Sequence, residues 1–203
     1  MITIRDTSLT APAAKRLGDW FTTASGKQFW PLDARFEDID IADIAHALAR
    51  VCRFGGHCRE FYSVAQHSVL VCDLVTAARP HDRHVQLQAL LHDATEAYMG
   101  DMVQPLKASM PDYKRAEEEL WKVIAAKFGV QDGLNPLVKH MDYVALQTER
   151  RDLLPETGHV WWTDRAGIPC ADVKIRAQMP VEAALCFIHW FEGLTSGNAK
   201  LTP

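Results

Sequence analysis

Between Leu90 and Lys107 the chain reads LLHDATEAYMGDMVQPLK, an apolar helical run that nevertheless carries His92, Asp93, Glu96 and Asp101. Ionised carboxylates among leucines are costly to hold away from water unless a partner or a metal receives them. Two further groups of this kind lie on helical stripes: His67 between Ser63 and Ala78, and Asp142 between Leu134 and Leu154. Two imidazoles and two carboxylates drawn from three helices make a ligand set for one divalent transition metal, because that donor mixture suits Mn, Fe, Co, Ni or Zn and leaves positions for water. Each group alone has a plainer reading. A histidine on an apolar face is usually a hydrogen-bonded core residue, and Glu96 could be a surface salt-bridge partner. A single helix from Asp82 to Met99 would place Glu96 on the face of His92 and Asp93, one turn along, where it can take or orient a proton of water polarised by the ion.

The elements that must position these groups follow from periodicity. Residues 1–19 show no clear period, and WFTTASGKQFWPL places Ser25-Gly26 between two short flanks rich in aromatics and threonine, which predicts a small hairpin. From Ile39 apolar residues recur at helical steps through Val51, with Asp38 or Asp40 as N-cap and Gly55-Gly56 as the stop. A second helix is predicted from Ser63 to Ala78, and the third, Asp82 to Met99, ends at a Gly100 C-cap that leaves Asp101 just beyond it. A fourth opens at Pro111 and ends at Gly129, its KRAEEE run forming a solvated face. The fifth turns Leu134, Leu137, Val138, Met141, Ala145 and Leu146 inward; residues 155–179 have no period, and a last helix runs from Val181 to Glu192. The class is all-α with a short N-terminal β-hairpin, arranged as an extension over residues 1–38 and one domain over 39–203.

Composition narrows the partners. A chain of 203 residues is long enough for one full core, and its net charge of -4 gives no global basic footprint, so a nucleic-acid polymer is not an expected partner. The N-terminus lacks the apolar run of a signal peptide and no window approaches the ~20 apolar residues of a membrane span, so a soluble, cytoplasmic protein with no membrane partner is expected. Five irregularly spaced cysteines suit a reducing compartment and read as mostly buried thiols. The tryptophans at 161, 162 and 190 could serve an interface in a homo-oligomer.

The order His67, His92-Asp93, Asp142 resembles the H…HD…D pattern of the HD superfamily of metal-dependent phosphohydrolases. The longer run HDATEAYMGDMVQPLK resembles the bacterial 5'-deoxynucleotidase branch, in which HD is followed by a Glu, a Gly-Asp after the helix and a Pro-x-Lys. The resemblance spans Ile41 to Leu154. It implies an HD-domain helical bundle with His67, His92, Asp93 and Asp142 as ligands of one divalent metal (Mn, Co, Zn, Ni or Fe), and Glu96 and Asp101 as the carboxylates that orient water and protonate the leaving oxygen. In that branch an Arg followed by an aromatic contacts the substrate phosphate and closes the pocket shortly before the first His. Arg53-Phe54 matches with a gap, fourteen residues before His67.

Two departures stand out: Gln66 where the family often has Glu, and Phe54 where it often has Trp, either of which could alter base or sugar selectivity. The segment CRFGGHCREFYSVAQHS, with His57 and Arg59, is also similar to HD triphosphohydrolases, where added cationic groups suit a longer phosphate chain. Lys107 could reach a phosphate as a point charge. His57 and Lys107 read equally as an ordinary loop histidine and a solvated lysine. The expected activity is metal-dependent hydrolysis of a small-molecule substrate, a (deoxy)nucleoside 5'-phosphate. The alternatives are release of triphosphate from a deoxynucleoside triphosphate and a non-catalytic nucleotide sensor. Glu96 and Asp101 beside a complete ligand set favour an enzyme, because a sensor needs no proton-transfer carboxylates.

Overall fold

The computed structural model describes residues 15–196. Strands β1 (Phe21–Thr22) and β2 (Gln28–Phe29) pair antiparallel with Phe21 opposite Phe29, and Ser25-Gly26 lies in the connecting turn. Helix α1 (Ile41–Leu48) begins at Asp40, whose carboxylate accepts from the Ala42 amide, and α2 (Val64–Ala78) begins at Ser63, whose hydroxyl accepts from the Gln66 amide. Each cap satisfies one of the amides that the first helical turn leaves unpaired. Then come α3 (Arg83–Leu91), α4 (Glu96–Met99), α5 (Gln104–Lys107), α6 (Pro111–Phe128) and α7 (Pro136–Leu153), followed by the single turn α8 (Trp162–Arg165) and α9 (Pro180–Thr195). The fold is all-α with one short hairpin, as the periodicity predicts. Among the described residues no helix is long and apolar enough to cross a membrane.

Helix α2 is central. It packs against α3, α7 and α9, while α1 packs on α4 and α9. Val64, Ala65, Val71, Cys72 and Val75 of α2 are buried, and Leu90, Ile124, Val138 and Phe187 from the surrounding helices join the same core. Because α2 touches α3 and α7 along its length, a polar side chain on its first turn meets side chains from both partners.

The described part of the N-terminal extension is joined to this body. Phe29 is fully buried and stacks on Tyr98 of α4 with ring centroids 4.0 Å apart and planes 10° apart. The Ser25 amide and hydroxyl both donate to the buried Asp43 carboxylate of α1, each at 2.7 Å. Arg16 forks onto Asp38 at 2.7 and 3.0 Å.

Three expectations need correction. The helix predicted from Asp82 to Met99 is broken: α3 stops at Leu91, and the Ala94, Glu96 and Tyr98 amides donate to Leu91, Asp93 and Thr95, bonds that span three residues rather than four. Such winding has about three residues per turn and eclipses positions i and i+3, so Glu96 stands over Asp93 rather than on a continuous α-helical face. Leu134, expected inward, is exposed, because α7 starts later, at Pro136, with the Asn135 side chain accepting from the Leu137 amide. The cysteines are all unpaired, but of the five only Cys72 is fully buried and Cys170 is exposed.

Residues 155–179 are ordered by polar anchors rather than by periodicity. The Asp152 carboxylate accepts from Lys174 Nζ and the Ile175 amide, both at 2.8 Å, and the Thr148 hydroxyl accepts from the Ala171 amide. The tryptophans there have partners within the chain: the Arg150 guanidinium lies over Trp161 at 4.7 Å and Tyr143 meets Trp162 edge-on.

If the hairpin is part of the core, Phe29→Ala should cost about 3–5 kcal/mol of unfolding free energy, as a large buried aromatic does. Phe21→Ala, across the hairpin but partly exposed, should cost under about 1.5 kcal/mol. Denaturant unfolding of the two variants measures the difference, and equal small losses would detach the hairpin from the core.

Candidate metal centre

Three helices deliver the cluster. His67 is on the first full turn of α2, His92 and Asp93 are where α3 gives way to tighter winding, and Asp142 is on the second turn of α7. One ligand atom each from His67, His92 and Asp142 lie within 4.8 Å of one another, so this group could hold a metal ion. His67 Nε2 lies 3.3 Å from His92 Nε2 and 3.2 Å from Asp142 Oδ1. Asp93 lies outside that group of three but beside it, with Oδ2 3.5 Å from His67 Nε2 and 3.3 Å from His92 Nε2.

The outer ring nitrogens fix what the inner ones present. His92 Nδ1 lies 2.8 Å from the Ala89 carbonyl, which can only accept, so Nδ1 carries the proton and Nε2 offers a lone pair. His67 Nδ1 lies 2.5 Å from Glu149 Oε1 and donates to that carboxylate. The inner surface is therefore a convergence of two imidazole nitrogens and the Asp142 oxygen, with the Asp93 carboxylate beside them. A divalent ion fits this donor set, and each histidine has the outer hydrogen bond that metal-ligating imidazoles use to hold their orientation. Without an ion a proton takes its place. Burial and the Arg53 charge oppose a charged His67, but Glu149 and Asp142 outweigh them and raise its pKa to about 10. Burial likewise opposes ionised Asp142, yet the His67 hydrogen bond and the charges of His67, His92 and Arg53 hold it well below the usual carboxylate range.

Glu149 is the residue that sequence reasoning missed. It lies seven residues after Asp142, two turns along the same face of α7, and that spacing is the signal that could have found it. Its carboxylate is fully buried, with Oε1 on His67 and Oε2 accepting from Arg53 Nη2 at 2.9 Å. Burial works to neutralise Glu149, and Arg53 and His67 reverse this, holding it ionised below its usual pKa.

Arg53 is brought to the cluster, but not as a free cation. The Arg53 amide donates to Tyr62 and the Val64 amide to Val51, closing the neck of the intervening loop beside the start of α2. The guanidinium pairs with Glu149 and stands 3.7 Å from Asp93. Phe54, Gly55 and Gly56 follow in left-handed backbone at φ 55°, 59° and 81°, a conformation that costs a phenylalanine and suits the glycines. His57 and Arg59 are exposed, and among the described residues neither makes a hydrogen bond or ion pair to the cluster. Gln66 is absorbed structurally, since its amide donates to the Arg176 carbonyl at 2.6 Å and accepts from the Gln178 amide at 3.1 Å.

Beside the cluster, Glu96 is buried and its Oε2 has no hydrogen-bond partner. Burial, then the Asp93 and Asp101 charges, push its pKa well above the usual carboxylate range. Asp101 follows Gly100, whose φ of 80° ends α4, and burial raises its pKa too. Lys107, expected to reach substrate, has its Nζ on Glu117 Oε1 at 2.6 Å, so any phosphate there competes with a carboxylate. A cleft of about 410 Å³ opens beside His92 and Asp93, bounded by Thr95, Lys107, Glu117 and Trp121.

No family model matches the sequence. Over 174 residues the chain is 44% identical to the uncharacterized protein YfdR of Escherichia coli strain K12, a match that covers 85% of this chain and 94% of YfdR. Over 115 residues it is 40% identical to an uncharacterized protein of Rhodobacter capsulatus, covering 55% of this chain and 59% of that relative. At that identity over nearly the whole of both chains, the protein belongs to the family of YfdR.

Proposed function

We propose that the protein is a metal-dependent phosphohydrolase that removes phosphate from (deoxy)nucleoside 5'-phosphates. The observation that carries this reading is the group of His67, His92 and Asp142, which could hold a metal ion, with Asp93 beside it and the carboxyl of Glu96 buried nearby with one oxygen lacking a hydrogen-bond partner. Resemblance of the H…HD…D order to the HD superfamily supports it. His67, His92, Asp93 and Asp142 would hold the ion, for which Mn, Co, Zn, Ni and Fe all suit the donors. Bound there, a divalent ion supplies charge neutralisation for the phosphoryl group and lowers the pKa of water.

The chain's own residues supply the rest. Glu96, whose pKa burial raises, would donate a proton to the ester oxygen of the leaving nucleoside, so that an alcohol leaves rather than a poor alkoxide. Asp101 accepts a hydrogen bond from water and orients it. Arg53, held by Glu149 and Asp93, places positive charge at the edge of the cluster, where the phosphoryl oxygens need it. The cleft beside His92 and Asp93 falls within the usual size range of small-molecule sites and gives room for a nucleoside.

The purified protein should contain about one divalent ion per chain, and His92→Ala and Asp142→Ala should each lose it, as elemental analysis will report. Retention of a full equivalent by both variants would remove the cluster from metal binding. Glu96→Gln should keep the ion, because Glu96 is not a ligand, while turnover of nucleoside monophosphates falls by about two to four orders of magnitude. A panel of nucleoside mono-, di- and triphosphates, assayed with each metal and with product identification, provides the measurement. Unchanged turnover in Glu96→Gln would return this residue to a structural role.

A further inference from the structure

Glu149 occupies a position that neither a salt bridge nor a metal ligand alone explains. It is fully buried, and its two oxygens are divided between two functional partners: Oε1 on His67 Nδ1 at 2.5 Å and Oε2 on Arg53 Nη2 at 2.9 Å. It does not face the inner donor surface, where His67 presents Nε2. We infer that Glu149 is a positioning residue that fixes His67 for the metal and Arg53 for the anion together, making the two halves of the site one unit. This rests on the metal-dependent reading above.

The physical reason lies in the ring. An imidazole can carry its proton on either nitrogen and can turn about its bonds, and only the form protonated at Nδ1 leaves Nε2 bare for an ion. A carboxylate with no proton of its own, placed at Nδ1, selects that form and makes Nε2 a stronger donor. His92 achieves the same end with the neutral Ala89 carbonyl, so the two ligands differ in basicity through what stands behind them. The second Glu149 oxygen draws Arg53 to the same place. Its guanidinium reaches within 3.7 Å of Asp93, a member of the ligand set, which a cation would avoid once an ion is bound unless something anchored it. Glu149 is that anchor, and its negative charge offsets part of the repulsion between guanidinium and ion.

The test uses the full chain and cobalt(II) as the probe, because its visible absorption reports both occupancy and coordination. Glu149→Gln keeps the shape but cannot accept from Nδ1–H and from Arg53 with two oxygens. It should weaken cobalt(II) binding by about 10- to 100-fold and alter the absorption band. A role confined to stability would lower the melting temperature of the metal-free variant and leave the cobalt(II) affinity and spectrum unchanged, which would overturn the inference. A second measurement does not depend on the variant folding. In the zinc-loaded parent, nitrogen-resolved proton spectra should show a slowly exchanging proton on His67 Nδ1; a proton on Nε2 instead, or none on the ring, would overturn it. A parent that takes up neither cobalt nor zinc would overturn the metal-dependent reading and this inference with it. A parent that binds cobalt with the same affinity as Glu149→Gln would overturn this inference alone.

Discussion

A carboxylate without any exposed surface, Glu149, holds the centre of the molecule to a single arrangement. An ionised group so placed is tolerated only while its partners stay in contact, and removing one partner of a buried ion pair typically costs about 3–5 kcal/mol. Here the partners come from different parts of the chain. Arg53 closes the loop before α2, His67 lies on α2, and Glu149 is on α7, so one network locks the helix pair whose contact defines the site. Apolar packing of Val64, Val71, Ala145 and Val138 would hold α2 against α7 at many small offsets. Hydrogen bonds of 2.5 and 2.9 Å do not permit that freedom.

From that constraint the chemistry of the cluster follows. With Nδ1 committed outward on both histidines, their Nε2 atoms and the Asp142 oxygen face one another, and either a proton on His67 or a metal ion can occupy their meeting point. The neighbouring carboxylates cannot all ionise in the same volume. The His67 hydrogen bond and the nearby positive charges hold the pKa of Asp142 below the usual carboxylate range, whereas burial beside Asp93 and Asp101 pushes that of Glu96, one oxygen of which has no hydrogen-bond partner, upward. Arg53 belongs to both systems, since it neutralises Glu149 below and faces Asp93 at the rim.

Much of this was legible in the sequence. The helices carrying His67, His92 and Asp142 are set by strong apolar periodicity and by the Ser63, Asp82 and Asn135 caps, and charged residues on those stripes point to a shared metal. The departures have physical causes. The winding at 92–96 changes from α-helical to tighter turns without any proline or glycine to announce it, so Glu96 reaches Asp93 by a different geometry from the one its spacing suggested. Glu149 falls two turns after Asp142, but TERRD reads as a charged helix end, and only the closed neck of the 53–62 loop reveals a buried cation waiting for it. Lys107 and Gln66 illustrate the remaining gap: a sequence shows a polar side chain, whereas the structure shows that Glu117 and the backbone of residues 176–178 already occupy it.

Anomalous diffraction from crystals soaked in manganese or zinc tests the central claim most directly. One strong peak per chain is expected, at about 2.0–2.3 Å from His67 Nε2, His92 Nε2, Asp93 and Asp142, with the His67–Glu149–Arg53 contacts intact. A peak elsewhere, or an ion at the cluster reached only by releasing His67 from Glu149, would contradict it.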